Sequence, residues 1–448
     1  MSTLQTPDIA GSPGAEAPQR GSRAGGPGVA PETPIAELLS PPRWSPFVAL
    51  QHRNFRLLWW GQLISFSGSM MQTAAILWHI SLLVPSDRKA LALGLVGLTR
   101  VVPIVIFSVV AGVVADARDR RKLMMLTQSA MAVLAALLAL LTFRGLSSLW
   151  PIYLLAAGSS AAGSFDGPAR QALIPSLVPR EHLPNAISLN TIMMQIASVS
   201  GPALGGLVIF QLGVGWVYVL NALSFLFVLA ALARMRSVTA SHSETGTVSL
   251  RAMVEGLRYV FTAPLIRSTM LLDFFATFFS SATALLPIFS QDILGVGAKG
   301  YGWLYSAPAV GAVAMSAMMV HMVDRIEKRG VVLLWAVFAY GLATVVFGVS
   351  RSFWLTFFCL AMTGVADAIS MVLRNIVRQM ETPDRLRGRV TGINMVFFMG
   401  GPQLGELEAG LVANWFGAPF SVISGGLACL LATLIVARRT PALRAYRK

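Results

Sequence analysis

Two apolar stretches of the chain carry the same short element, Gly201-Pro202-Ala203-Leu204-Gly205-Gly206 and Gly401-Pro402-Gln403-Leu404-Gly405-Glu406. Proline removes a backbone donor and kinks a helix, while closely spaced glycines let a neighbouring helix approach. Their recurrence at matching positions indicates a duplicated membrane protein and marks where its helices bend. The second copy ends in a carboxylate, Glu406, and an acidic residue at membrane depth is a functional candidate by default.

The composition excludes an ordinary soluble domain, because 55% of residues are hydrophobic, 12% are charged and the mean hydropathy is +0.66. The net charge of +15 would suit a nucleic-acid partner. The Lys and Arg residues, however, lie in short loops and at the termini, so no nucleic acid is expected. Cys359 and Cys429 fall within apolar runs, which predicts packing roles and no disulfide or metal framework.

A spanning helix needs about 20 mostly apolar residues, and twelve segments of the chain qualify. Their approximate bounds are 56–84, 90–115, 122–143, 148–172, 185–211, 214–234, 264–290, 300–323, 330–350, 352–376, 388–413 and 416–437. We therefore predict an all-α integral membrane protein with twelve transmembrane helices in two six-helix halves.

Basic residues concentrate on one side of these spans, the side that also carries both termini. They include Arg118, Arg120, Arg121, Lys122, Arg234, Arg236, Arg325, Lys328, Arg329, Arg385, Arg387, Arg389, Arg438 and Arg439. The positive-inside rule then predicts a multi-pass protein of the cytoplasmic membrane with both termini in the cytoplasm.

The predicted domain organisation follows from these spans and from the loop that separates six of them from the other six. It comprises a disordered cytoplasmic tail at 1–45, a first half at 46–236, a cytoplasmic loop with an amphipathic helix at 237–262, a second half at 263–440 and a basic cytoplasmic tail at 441–448.

The loop after the second span has Gly112, then Asp116 four residues on, then the basic residues Arg120 and Arg121. This arrangement resembles the loop signature of the major facilitator superfamily, although Ala117 and Asp119 depart from the usual residues. In the second half, Asp324 and Arg325 keep the acid–base pair of the signature and lack its glycine. An aspartate at a helix end beside a basic loop can hold two helices in one conformation and release them in another.

Three further stretches narrow the resemblance, namely Pro168–Pro175, Gly201–Gly206 and Asn221–Leu226. The glycine–proline element resembles the fifth-helix motif of superfamily antiporters, with Ala197 in place of a usual glycine. The other two are similar to the branch that includes the enterobactin exporter and the transmembrane secretion effectors, although Ser198 stands where that branch would have an arginine. The resemblance implies a monomeric transporter that exports its substrate and needs no cofactor.

Charged residues inside the spans are candidates for gating and proton coupling, because an unpaired charge at that depth is costly. We expect Arg100 to pair with Glu406 or Glu408 as an outer gate, with a permanent bridge as the alternative. Asp273 lies beside several phenylalanines and Asp367 lies nearer the cytoplasm. Together with Glu406 and Glu408, these two aspartates are the candidates to carry a proton.

The remaining intramembrane charges favour structural roles. Asp166 and Arg170 are four residues apart in the acid-first order that suits a helix ion pair. Arg374 and Arg378 lie near the cytoplasmic end of their span and are expected to extend towards the interface.

A substrate cavity is predicted from polar and aromatic residues within the first and seventh spans. Phe274 and Phe278 would supply apolar walls, and Gln72 and Thr277 the polar groups. Packing in the core or against lipid is the alternative for each of them.

These features predict a secondary transporter that exports an amphipathic small molecule, such as a siderophore, drug or metabolite, in exchange for protons and by alternating access. An importer or lipid flippase on the same scaffold, or a membrane sensor or assembly factor that does not transport, remain alternatives. No nucleophile–base arrangement or histidine cluster suggests an enzyme, and no metal, nucleotide or prosthetic group is implied.

Overall fold

Positive-φ glycines end the corresponding helices of each half, Gly213 with φ of 91° and Gly417 with φ of 90°. Each is followed directly by the next helix, so the chain reverses within one residue. The structure, a computed structural model, describes residues 47–236, 250–383 and 386–447. Throughout these ranges the regular structure is helical, as the sequence predicts.

The first half contains six long helices. They are α1 (Arg53–Leu83), α2 (Lys89–Ala117), α3 (Arg120–Phe143), α4 (Trp150–Leu173), α5 (Leu183–Leu212) and α6 (Val214–Arg234). The aspartate that departs from the loop signature has a local role here. Asp119 caps α3 by accepting hydrogen bonds from the backbone N–H groups of Arg121 at 3.0 Å and Lys122 at 3.2 Å.

The second half repeats this arrangement after one additional short helix. Its helices are α7 (Leu250–Thr262), α8 (Pro264–Phe279), α9 (Gly297–Met322), α10 (Arg329–Val349), α11 (Phe353–Glu381), α12 (Arg387–Phe416), α13 (Ala418–Arg439) and α14 (Pro441–Ala445). The predicted tail at 1–45 and the loop residues 237–249 lie outside the described residues, so those domain boundaries stay predictions.

The seventh span, expected to run unbroken over 264–290, is interrupted. Helix α8 ends at Phe279, and three short helical turns continue the chain over Ala282–Leu285, Leu286–Ile288 and Phe289–Ile293, the last of them a π-helix. At the break, the Ser281 hydroxyl donates to the carbonyl of Pro402 in α12 at 2.9 Å. A neighbouring helix thus supplies the hydrogen-bond partner of a buried hydroxyl at the break.

Nine helices of the described ranges are long and apolar enough to cross a membrane by length and composition. Three further long helices, α1, α4 and α12, are not among these nine. The count of twelve spans therefore stays a prediction. The same three helices contribute much of the polar chemistry described below.

The two halves differ in how they meet at the two ends of the bundle. We call the end that carries residues 84–88, 213 and 417 the distal end, and the end where α1 begins and α13 finishes the terminal end. One apolar cluster near the distal end contains Trp78 of the first half and Tyr301 of the second, with ring centroids 5.1 Å apart. The clusters nearer the terminal end are each built from one half.

Helix α7 is the amphipathic segment expected in the loop between the halves. Its Val260 joins an apolar cluster with Ile266 and Leu386, whereas Leu257 and Phe261 remain exposed. One side of α7 is therefore anchored to the second half while apolar side chains stay on the surface, an arrangement suited to a membrane interface.

Candidate functional site

Two helix pairs hold the halves together near the distal end, and glycines allow both contacts. A Cβ on Gly410 of α12 would lie 2.5 Å from the Cα of Gly94 in α2. A Cβ on Gly206 of α5 would lie 2.6 Å from the carbonyl oxygen of Ala298 and 2.7 Å from the Cα of Gly302, both in α9. Only residues without a side chain permit backbones to approach this closely.

The other glycines of the repeated element act within each half. Gly201 and Gly205 face Met70 and Met71 of α1, and a Cβ on Gly201 would lie 2.6 Å from the Met70 Cβ. Gly401 and Gly405 occupy the matching place against α8. Pro202 and Pro402 lie inside α5 and α12, which continue past them as helices.

Arg100 and Glu406 face each other across the contact between α2 and α12. Arg100 Nη1 is 3.9 Å from Glu406 Oε2, and the two side chains are 12% and 7% exposed. That distance makes the pair electrostatic rather than hydrogen-bonded. Arg100 also donates to the Thr73 carbonyl at 3.4 Å and to the Tyr305 hydroxyl, so it contacts α1, α9 and α12. Glu408, the other expected partner, has no ion pair among the described residues.

A second polar network joins the halves at the distal end, and the sequence interpretation missed it. Lys89, at the start of α2, donates to Asp292 Oδ2 at 3.1 Å and to Gln291 Oε1 at 3.2 Å. Gln291 in turn donates to the Ser81 hydroxyl of α1 at 2.7 Å. The Lys89 side chain is only 8% exposed. The sequence interpretation gave Lys89 no role, and the available signal was Asp292, an acidic residue shortly before α9.

Asp273 of α8 is paired with an arginine that was expected to extend towards the interface. Arg374 Nη2 of α11 lies 2.8 Å from Asp273 Oδ1 and 3.6 Å from Asp367 Oδ1, while its Nη1 donates to the Ser370 hydroxyl at 2.8 Å. The expectation for Arg374 was wrong because its side chain is 8% exposed and turned into the second half. Arg378 donates to Asn375 on the same helix at 2.6 Å.

A small cavity beside this cluster is lined by Thr277, Asp367 and Arg374. The structure thus brings two of the predicted coupling residues and one predicted cavity residue together. The Thr277 hydroxyl donates to the Asp273 carbonyl at 2.9 Å, so its proton is used within α8.

Asp166 and Arg170 do not form the expected ion pair of α4. Asp166 Oδ1 accepts from Gln128 Nε2 at 2.8 Å and from Thr127 Oγ1 at 3.1 Å, both on α3. The Arg170 Cζ lies 5.4 Å from the centroid of the Phe66 ring, and its Nε and Nη1 have no hydrogen-bond partner in the described ranges. Helix spacing allows the pair, but polar groups on α3 compete for the carboxylate.

The phenylalanines of the predicted apolar wall pack against other aromatic rings. Phe274 stacks on Phe278 with centroids 5.5 Å apart and meets Phe397 of α12 edge to face at 5.9 Å. Gln72 is buried inside the first half, where its Oε1 accepts from Asn221 of α6 at 2.8 Å. Gln72 therefore lies between α1 and α6 rather than between the halves.

A cleft of about 360 Å³ opens between α1, α5 and α6. Its walls are mostly apolar, and three serine hydroxyls, on Ser67, Ser200 and Ser224, are its polar groups. The cavity residues predicted from the sequence do not line it.

The loop signature lies at the terminal end. Arg120 donates to the Ala172 carbonyl of α4 at 2.9 Å, and Arg121 donates to the Ala233 carbonyl of α6 at 3.1 Å. The side chain of Asp116 is outside the described residues. A Cβ on Gly112 would meet no atom of the described residues within 4 Å, and Asp324 and Arg325 are exposed in a 3-10 turn after α9.

A histidine pair joins the starts of α1 and α5 at the same end. His52 Nε2 and His182 Nδ1 lie 2.8 Å apart. Partial burial, together with the positive charge that His182 can carry, lowers the pKa of His52. One ring must be neutral to accept this hydrogen bond, so the contact depends on pH.

Comparison with known proteins identifies the family. Residues 44–446 match the family of transmembrane secretion effectors. The enterobactin exporter of Shigella boydii serotype 18 is 26% identical over 339 residues, which cover 76% of this chain and 81% of the relative.

Solved structures share the fold. A bacterial homologue of the human lysosomal transporter Spinster, in an inward-facing and unoccupied conformation, has a TM-score of 0.68 and 16% identity, over 88% of this chain and 99% of that one. A peptide transporter has a TM-score of 0.71 and 10% identity, over 88% of this chain and 95% of that one. The chain belongs to the transmembrane secretion effector family, and the predicted all-α, major facilitator-type membrane fold is confirmed.

Proposed function

We propose that this transmembrane secretion effector exports an amphipathic small molecule across the cytoplasmic membrane by alternating access, in exchange for protons. It would act as a monomer with both termini in the cytoplasm. The relative from Shigella boydii is an enterobactin exporter, which supports export and a substrate of the siderophore, drug or metabolite class.

The observation that carries the proposal is the difference between the two ends of the bundle. Near the distal end, two ion pairs and close glycine contacts join the halves, whereas the apolar clusters near the terminal end belong to single halves. On this proposal the terminal end faces the cytoplasm, because the basic loop residues concentrate there. The structure would then correspond to an inward-facing state, and the distal contacts would break when the cavity opens outward.

Proton coupling is assigned to carboxylates that face arginines in buried surroundings. Asp273 beside Arg374 and Glu406 beside Arg100 each have less than one tenth of the side chain exposed. Protonation would neutralise the acid and weaken its hold on the arginine, so each ion pair could alternate between two states. Asp367, at 3.6 Å from the same Arg374, would be a second acceptor in that cluster.

The test is proton-coupled efflux in reconstituted vesicles, screened with a panel of amphipathic compounds and siderophores. Wild type would be compared with Asp273→Asn and Glu406→Gln. Proton movement that depends on substrate and is lost in either variant would support antiport. Efflux without proton movement would remove the coupling assignment, and the absence of efflux for every compound would favour a sensor or assembly role.

A further inference from the structure

Arg170 is a buried cation whose hydrogen-bonding groups are incompletely used. The residue is 7% exposed, and its Nε and Nη1 are buried without a partner in the described ranges. The guanidinium lies over the ring of Phe66, with its Cζ 5.4 Å from the ring centroid. Buried charges are normally paired and hydrogen-bonded, so an arginine with vacant donors indicates a group that binds there.

The nearest acid does not fill these positions. Asp166 is four residues earlier on α4, yet its Oδ1 is held by Gln128 at 2.8 Å and by Thr127 at 3.1 Å. Asp166 therefore acts on the positive charge through space, while Nε and Nη1 of Arg170 have no hydrogen-bond partner among the described residues. A second anion would accept the hydrogen bonds that these donors can still give.

Helix α4 leaves room for such an anion. Gly163, Gly167 and Arg170 are spaced by four and three residues, which places them on one face of the helix. A Cβ added to Gly163 or Gly167 would meet no atom of the described chain within 4 Å. The opposite face is packed, because a Cβ on Gly158 would lie 3.3 Å from a methyl group of Leu134 in α3.

We propose that Arg170 binds an acidic group of the substrate, a carboxylate or an ionised phenol, beside the open face of α4. Phe66 holds the guanidinium by a cation–π contact. An aromatic ring of the same substrate molecule would pack beside Phe66. The guanidinium suits this task because it stays charged when buried and gives charge-assisted hydrogen bonds to an anionic oxygen. The inference rests on the proposed transport function and narrows its substrate to amphipathic acids.

The experiment measures equilibrium binding of 2-naphthoate and 2-naphthamide, which share a ring system and differ in charge. The full chain would be held in phosphatidylcholine nanodiscs without any gradient. A charge-assisted hydrogen bond predicts that wild type binds the acid at least about tenfold more tightly than the amide. Arg170→Gln should remove most of this preference and Arg170→Lys should keep part of it.

Two controls separate binding from folding. Arg144→Gln removes an exposed arginine from the loop before α4 and should leave the preference unchanged. The double variant Asp166→Asn, Arg170→Gln removes both charges, so no buried charge is left alone. Equal loss of preference in the single and double variants, with unchanged thermal unfolding of the double variant, supports the assignment.

The outcomes are decisive in both directions. Equal binding of acid and amide by wild type, no detectable binding of the acid, or a preference that survives Arg170→Gln would each overturn the site. Loss of the preference when phosphatidylglycerol is added would assign the site to lipid phosphate and overturn the substrate assignment. Because no gradient is used, the binding assay is independent of transport. Binding through Arg170 without efflux would contradict only the export proposal. Efflux together with an unaltered binding preference in Arg170→Gln would contradict only the site.

Discussion

Replacement of Gly410 by alanine should open the distal end of the bundle. The new Cβ would lie 2.5 Å from the Cα of Gly94 and 2.7 Å from the carbonyl oxygen of Ala90. Both are backbone atoms of α2, so no side-chain rotation relieves the contact and the two halves must separate. Overpacking of this kind costs about 1–3 kcal/mol.

The cost applies only while the halves are in contact. A state with the distal end open does not pay it, so the ratio of open to closed molecules should rise about 5- to 150-fold. The matched control is Gly163→Ala, whose Cβ would meet no atom of the described chain within 4 Å. Each substitution makes the helix more favourable by about 1 kcal/mol, so this contribution cancels when the two variants are compared.

The assay is the distance between spin labels on the two halves at the distal end. Cys359 and Cys429 would first be replaced by alanine, and labels placed at exposed positions 87 and 299. Double electron–electron resonance in nanodiscs should show a longer-distance population for Gly410→Ala that is absent from Gly163→Ala. Identical distance distributions for the two variants would refute the idea that this glycine contact keeps the distal end closed.

Three further predictions use the ion pairs and the histidines. Lys89→Gln removes the buried member of the pair with Asp292 and should lengthen the same label distances; no change would mean that this network does not hold the halves together. Arg374→Gln leaves Asp273 buried without its cation and should lower the free energy of unfolding by about 3–5 kcal/mol, measured by chemical denaturation. The double variant that also carries Asp273→Asn should recover much of this loss. Protonation of His52 favours the unfolded chain because its pKa is lowered in the fold, so its contribution is present above the ordinary histidine pKa and is lost as the pH falls below it. The melting temperature should therefore decrease from about pH 7.5 to about pH 5.5 more in wild type than in His52→Gln, and equal decreases in the two proteins would contradict this assignment.

The sequence alone was sufficient for the fold class and for the elements that let helices approach. Apolar runs of spanning length determine that helices form, because a bilayer leaves backbone groups no other partner. The repeated Gly-Pro element at Gly201 and Gly401 indicated two related halves. The proximity of Arg100 and Glu406 could also be predicted, because an arginine at that depth requires a partner and the superfamily resemblance places the second and eleventh helices together.

Only the tertiary structure decided which polar groups meet. The pairing of Asp273 with Arg374 and the contact of Lys89 with Asp292 each join residues of different helices. The donors of Arg170 stay vacant because polar groups of α3, a different helix, hold the nearest acid. Sequence shows that a buried charge must have a partner, since desolvation is costly. The identity of that partner depends on the rotation and depth of each helix against its neighbours, which side-chain packing sets and which a single sequence does not encode locally.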